Sequence, residues 1–203
     1  MKTRVANFLG PLVLGCWLAA AAGCSLLPVA KPDPTRFYVL TTRATAAAAP
    51  AGAPAVQLRP VEVAGYLRSR PLIVRRGGNE LEFREYARWG EPLEQGIGRV
   101  LREELRARGV VVPSGPGRDS PAFDYHLTVR VLACEGTVAG AVDFRAVWEL
   151  TRAGEKPVAA GGGEFRAEAL RWDGKSEASL AAQLSEAVAG LAAEIAVAVA
   201  RKG

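Results

Sequence analysis

Few side chains in this sequence can do covalent or acid–base chemistry: the three cysteines Cys16, Cys24 and Cys134, and one histidine, His126, in 203 residues. A nucleophile worked by His126 would need a third group to orient the imidazole beside an exposed thiol or hydroxyl. His126 instead lies in the alternating run Tyr125-His126-Leu127-Thr128-Val129, which marks it as a structural or exposed strand residue. One histidine and scattered cysteines do not make a metal set. Gly161-Gly162-Gly163 leads into a strand rather than from a strand into a helix, so it is not a phosphate loop. The chain therefore reads as no enzyme, with no cofactor and no metal.

Cys24 carries the most specific chemistry. It closes the run Leu18-Ala19-Ala20-Ala21-Ala22-Gly23-Cys24 behind Lys2, Arg4 and an apolar stretch from Val5 to Ala22. This resembles a bacterial lipoprotein signal, with Ala-Ala-Gly as the small residues a signal peptidase needs. The resemblance implies that residues 1–23 are removed and that Cys24 carries a diacylglyceryl thioether and an N-acyl chain. At ~0.8 kcal/mol per buried methylene, several chains hold a protein on a bilayer where one alone is marginal. Ser25, rather than Asp, resembles the pattern of lipoproteins forwarded to the outer membrane. Two other readings stay open. Ala21 stands where lipoprotein signals usually place Leu, which suits an ordinary secretory signal. An uncleaved span is the other, although Gly10, Pro11 and Gly15 interrupt an apolar length of only about 18 residues.

Composition narrows the partners. The formal charge is +5, and without Lys2 and Arg4 the remainder nets +3, too mild for nucleic acid. With Cys16 in the leader and Cys24 acylated, Cys134 has no disulfide partner and reads as a small buried strand residue. The length after residue 23 suits one domain.

The elements follow from periodicity. Residues 24–35 form a lipidated start and a tether in which Pro28, Pro32 and Pro34 favour extended chain, reaching on the order of 30 Å at ~3.1 Å per residue. Phe37 to Leu40 reads as a strand. Thr42 to Ala55, rich in Ala and Pro, reads as a mobile loop without core residues. Val56 to Val63 alternates, with Pro60 marking an edge or bulge. Gly77-Gly78-Asn79 turns a hairpin between 72–76 and 80–84. A helix starts near Pro92, buries Leu93, Ile97, Val100, Leu101 and Leu105, and stops at Gly109. Three alternating strands then form an antiparallel meander, the last from Gly163 to Leu170, with charges on one face placed to pair across strands. A final helix from about Ser176 to Ala200 carries Leu180, Leu184, Val188, Leu191, Ile195 and Val199 on one stripe. Its alanine flanks suit either helix propensity or close approach of another helix or subunit.

From Val61 to Leu105 the order of motifs is specific: Gly65-Tyr66-Leu67-Arg68-Ser69-Arg70-Pro71, then Asn79-Glu80-Leu81, then Trp89-Gly90-Glu91-Pro92-Leu93. This series resembles the ABC-type transport auxiliary lipoprotein family, which includes PqiC-like intermembrane transport lipoproteins. The likeness runs from Cys24 to the C-terminal helix. It implies a periplasm-facing outer-membrane lipoprotein that partners an MCE-domain protein and associated inner-membrane transport components in lipid movement or envelope maintenance. It also implies an α/β fold over residues 36–203, similar to the N-terminal domain of TolB, with a mixed, largely antiparallel sheet and two main helices. The residues alone indicate an α+β domain.

Tyr66, Arg68, Arg70 and Trp89 are the candidate partner contacts. Trp89 is read first as a core anchor under the hairpin and second as a docking point. Arg68, Arg70, Arg75 and Arg76 suit an acidic partner or lipid head groups, or simply a solvated loop beside Glu80, Glu82 and Glu85. A homo-oligomer is permitted by the alanine-flanked helix and an open strand edge. Two other functions remain open: a lipid- or small-molecule-binding lipoprotein acting alone, and a structural envelope-assembly lipoprotein.

Overall fold

Among the described residues the chain runs β1 (Arg36–Tyr38), β2 (Val56–Leu58), β3 (Glu62–Val63), a 3₁₀ turn (Gly65–Arg68), β4 (Pro71–Arg75), β5 (Leu81–Trp89), α1 (Leu93–Ala107), β6 (Tyr125–Thr137), β7 (Val142–Arg152), β8 (Val158–Arg166) and α2 (Glu177–Ala200). The computed structural model describes residues 31–45, 49–113, 123–154 and 158–202. Cys24, the leader and most of the tether lie outside them. Thr35–Gly203 forms one compact unit, and the fold is α+β with a mixed sheet of 8 strands and 2 helices.

The sheet is organised by β6. Eleven of its thirteen residues pair with β7 along one edge, antiparallel from Tyr125–Arg152 to Gly136–Val142. Along the other edge three strands follow one another, all parallel to β6: β2 at Tyr125–Leu127, β3 at Arg130–Val131 and β4 at Gly136–Thr137. The order is β1-β5-β4-β6-β7-β8, with β2 and β3 beside β6. The meander β6-β7-β8 is antiparallel as expected. The expected Val56–Val63 strand is split at Pro60, where proline has no N–H to give to the ladder. Arg59 N–H still reaches Leu127 O at 2.9 Å, so the chain stays in line with β6 across the break.

Two expectations change. The third strand of the meander occupies Val158–Arg166 rather than 163–170, because the three glycines sit inside the strand against β7 instead of ahead of it. The loop from Thr42 to Ala55 is not free of core residues: Ala55 is buried and bridges Val111, and its N–H is taken by Asp124 at 2.7 Å.

Both helices cover one face of the sheet, with their predicted apolar stripes fully inside. Gly109, at φ +81°, ends α1 by adopting the left-handed conformation that side chains disfavour. The hydroxyl of Ser176 caps α2 by accepting from Ser179 N–H at 3.3 Å. α2 is long and apolar enough to cross a membrane by composition, yet half of its most apolar window is buried within the domain. It packs on α1, β6, β7 and β8. Trp172 locks the start of α2 to the end of β6 by donating its indole N–H to Thr137 O at 3.1 Å.

Gly136 is where that lock leaves no room: a Cβ there would lie 2.8 Å from Trp172 Nε1 and 3.0 Å from Leu180 Cδ1. At Gly161 a Cβ would meet nothing within 4 Å. Gly136→Val therefore lowers stability by about 1–3 kcal/mol in urea unfolding, whereas Gly161→Ala leaves it within about 0.5 kcal/mol.

Candidate functional site

Two residues of the Tyr66–Leu93 motif series, Tyr66 and Arg75, meet at one buried carboxylate. Glu135 is fully buried at the end of β6. A register shift between Val131 and Ala133 precedes it, and its pairing with Asp143 turns it away from Cys134 and Phe144. Burying a carboxylate costs several kcal/mol unless donors replace its water. Here the donors come from two segments. Tyr66 Oη, on the 3₁₀ turn, donates to Glu135 Oε2 at 2.8 Å, and Arg75 Nε, on β4, donates to Oε1 at 2.6 Å. The second Arg75 nitrogen contact to Oε1 is 2.5 Å, and Arg75 Nη1 also donates to Gly78 O at 2.9 Å, which fixes the hairpin turn. Burial, reinforced by the hydrogen bond to Glu135, pushes the Tyr66 phenol well up, so it remains a donor throughout the physiological range.

This anchored turn sets out the candidate contact residues. Ser69 closes it by donating to Tyr66 O at 3.0 Å, and Trp89 N–H donates to Arg70 O at 2.7 Å. Tyr66, Arg68, Arg70 and Trp89 thus lie around one loop. They differ in accessibility: Arg68 and Arg70 are exposed, Tyr66 is half-buried, and Trp89 is buried in the core. Trp89 is an anchor beneath the hairpin and presents no docking surface. The arginine cluster divides in the same way, for Arg75 belongs to Glu135 and Arg76 pairs with Glu82 at 2.6 Å. Charges on the open face of the sheet pair across strands at Arg130–Glu62, but along a single strand at Arg145–Asp143 and Arg166–Glu164.

A second buried carboxylate performs the same task on α1. Glu104 is fully buried and accepts from Thr42 Oγ1 at 2.8 Å, from Arg43 N–H at 2.5 Å and from Ala44 N–H at 3.1 Å, and it also pairs with Arg108. Burial alone would raise its pKa. The donors, led by Arg43 N–H and the Arg108 guanidinium, outweigh burial and bring the pKa down to about 2. Sequence reasoning placed neither Glu104 nor Glu135. Glu104 could have been found, since it follows Val100 and Leu101 by four and three residues on the buried stripe of α1.

The residues with nucleophilic or acid–base potential are kept apart. Cys134 is buried, which pushes its thiol well up and away from the reactive thiolate. His126 is half-buried beside Phe123, with ring centres 6.4 Å apart, and burial with the charge of Arg59 lowers its pKa. No cluster of three metal-ligating side chains occurs among the described residues. An open groove of about 690 Å³ runs between β8 and the C-terminal part of α2, lined by Trp148, Gly161, Gly162, Ala193 and Val197. The indole N–H of Trp148 donates to Glu194 Oε1 at 2.8 Å across it.

Removing one partner from a buried carboxylate leaves an uncompensated charge, so Arg75→Ala lowers stability by about 3–5 kcal/mol. Tyr66→Phe costs about 1–3 kcal/mol, and Arg68→Ala or Arg70→Ala stays within about 0.5 kcal/mol, all read from urea unfolding. Glu104 gives a pH test. Because its folded pKa lies below the unfolded one, its contribution is complete above the unfolded value and is lost as pH falls through the folded one. Stability accordingly drops by on the order of 3 kcal/mol between about pH 5 and pH 2, and Glu104→Gln flattens this part of the profile while lowering the plateau at neutral pH.

Comparison with known proteins places this arrangement. The profile of a family described as the ABC-type transport auxiliary lipoprotein component matches residues 38–196. No curated protein matches the chain. The crystal structure of an uncharacterized protein superposes with a TM-score of 0.63 at 20% identity, covering 80% of this chain and 97% of the other. Protein XCC0632 from Xanthomonas campestris, of the DUF330 family, gives 0.64 at 17%, covering 82% and 98%. A chain of the PelC dodecamer from Paraburkholderia phytofirmans gives 0.36 at 17%, covering 76% and 95%. The first two likenesses establish the fold, and the sequence match from Tyr38 on β1 to Ala196 near the end of α2 shows that the chain belongs to the ABC-type transport auxiliary lipoprotein family.

Proposed function

We propose that this protein is a non-catalytic, lipid-anchored accessory subunit of an MCE/ABC-type intermembrane lipid transport system, held at the periplasmic face of the outer membrane by acyl chains on Cys24. The observation that carries the reading is the family match over 38–196, which makes the domain a transport auxiliary component. Residues 1–23 serve as the signal peptide and 24–35 as the lipidated tether of the domain at 36–203. The arrangement of the chemistry-bearing side chains agrees with a binding role: the cysteine of the domain is buried, the histidine is half-buried, and two carboxylates are committed to holding segments in place.

The partner contact centres on the loop that Glu135 holds, with Arg68 and Arg70 exposed upon it and without ion pairs among the described residues. Exposed cations on a rigid loop suit an acidic surface and set the rate and register of encounter. Arg68→Glu combined with Arg70→Glu lowers the amount of MCE-domain protein recovered with the chain by roughly tenfold at low salt, with the urea midpoint unchanged. Failure of the wild-type chain to co-purify with an MCE-domain protein in every detergent tested sinks the reading. The mass of the mature N-terminal peptide checks the anchor separately, the expected peptide beginning at a triacylated Cys24.

A further inference from the structure

β1 and the end of β5 present a surface unlike the rest of the open sheet face. Phe37 is 62% exposed and Val39 is 50% exposed on the edge of the sheet, although both belong to the apolar run that elsewhere in the fold would be core. Their neighbours are fixed by register. Phe37 pairs with Arg88, which pairs in turn with Pro71 across β4, so these three side chains form one row. Val39 continues the patch over Gly90, where a Cβ would lie 3.2 Å from Val39 Cγ1. Arg36, one residue before Phe37, points to the other face of β1 but lies at the same exposed sheet edge, and Arg70 precedes Pro71 and is also exposed.

The charge on this patch is uncompensated. Arg36, Arg70 and Arg88 form no ion pair among the described residues; of the two acids three residues from Arg88, Glu91 is held by Arg99 at 2.6 Å, and Glu85 makes no ion pair with Arg88 and by strand alternation lies on the other face of β5. An aromatic ring and a branched aliphatic side chain ringed by unpaired arginines match the boundary of an anionic bilayer. There aromatic side chains settle at head-group depth, and cations gain attraction that fades within a Debye length. The connection to the chain's start limits the choice of occupant. Eleven residues lie between Cys24 and Arg36, an extended reach of at most about 40 Å. A patch that begins where the tether ends is the part of the domain most often brought against the surface holding the acyl chains.

We propose that Phe37, Val39, Arg36 and Arg88 form a membrane-docking face that seats the domain on anionic glycerophospholipid head groups, with the sheet edge at β1 against the bilayer. This rests on the proposed anchor at Cys24. Docking would turn a tethered domain into an oriented one and direct the opposite edge, β8, away from the lipid.

The test uses the full chain purified from membranes and reconstituted into vesicles that carry lipids spin-labelled near the head group. The vesicles are made of phosphatidylcholine either alone or with roughly one third phosphatidylglycerol. In anionic vesicles the fluorescence of Phe37→Trp is quenched about twofold more than that of the wild type. The excess disappears in neutral vesicles and when Arg36→Glu and Arg88→Glu are added, with circular dichroism unchanged. Equal quenching of Phe37→Trp and wild type on chains that float with anionic vesicles overturns docking while the anchor stands, and assigns the patch to a protein partner. A chain that does not float with vesicles at all overturns the anchor and the docking together.

Discussion

A carboxylate withdrawn completely from water can exist in a protein only where donors meet it from fixed positions, and Glu135 imposes that requirement on three parts of this sheet at once. β6 supplies the charge, the 3₁₀ turn supplies Tyr66, and β4 supplies Arg75. None of these segments can shift independently, because losing one donor leaves a charge that the interior cannot solvate. The loop carrying Arg68 and Arg70 is held both by this triad and by its own hydrogen bonds. Glu104 extends the device to the other side of the molecule, where it holds residues 42–44 against α1. Two segments without regular structure are therefore ordered by electrostatics, and the regular elements by apolar packing.

This division explains what the sequence made legible. Both helices, their buried stripes and their ends could be read, because helical periodicity and glycine stops are local. The same is true of the β6-β7-β8 meander. The parallel pairing of β2, β3 and β4 with β6 could not be read, since alternation shows that a strand has an inner face but not which strand lies beside it. The glycine run in β8 resembles a turn by composition, and only pairing with Trp148 and Glu149 identifies it as strand. A buried glutamate is identical in sequence to a solvated one, so Glu135 was hidden among the small residues Ala133, Cys134 and Gly136.

The candidate site was legible in part for related reasons. The motif order located the loop of Tyr66, Arg68 and Arg70, because the order and spacing of those motifs follow the local path of the chain. It could not separate the side chains that face water from those that face the core. Trp89 and Arg88 are neighbours with opposite fates, and a shift of one residue in a strand exchanges them. The exposure of Phe37 and Val39 was likewise invisible, since an apolar run of that length reads as core.

The placement of α2 has a consequence for how the molecule comes into being. The last helix of the chain covers β6, β7 and β8 and packs on α1, and its Ser185 hydroxyl accepts from Thr41 N–H, a bond spanning 144 residues at 3.1 Å. The apolar side of β6, β7 and β8 that α2 covers stays open until that helix has been synthesised. Contacts that distant form late and slowly, and an incomplete chain leaves apolar surface open to aggregation. Closure of the fold waits for α2, so a nascent chain lacking it has only α1 over the sheet and leaves the apolar side of β6, β7 and β8 exposed, and quality control that recognises exposed apolar surface has a direct way to tell finished molecules from unfinished ones.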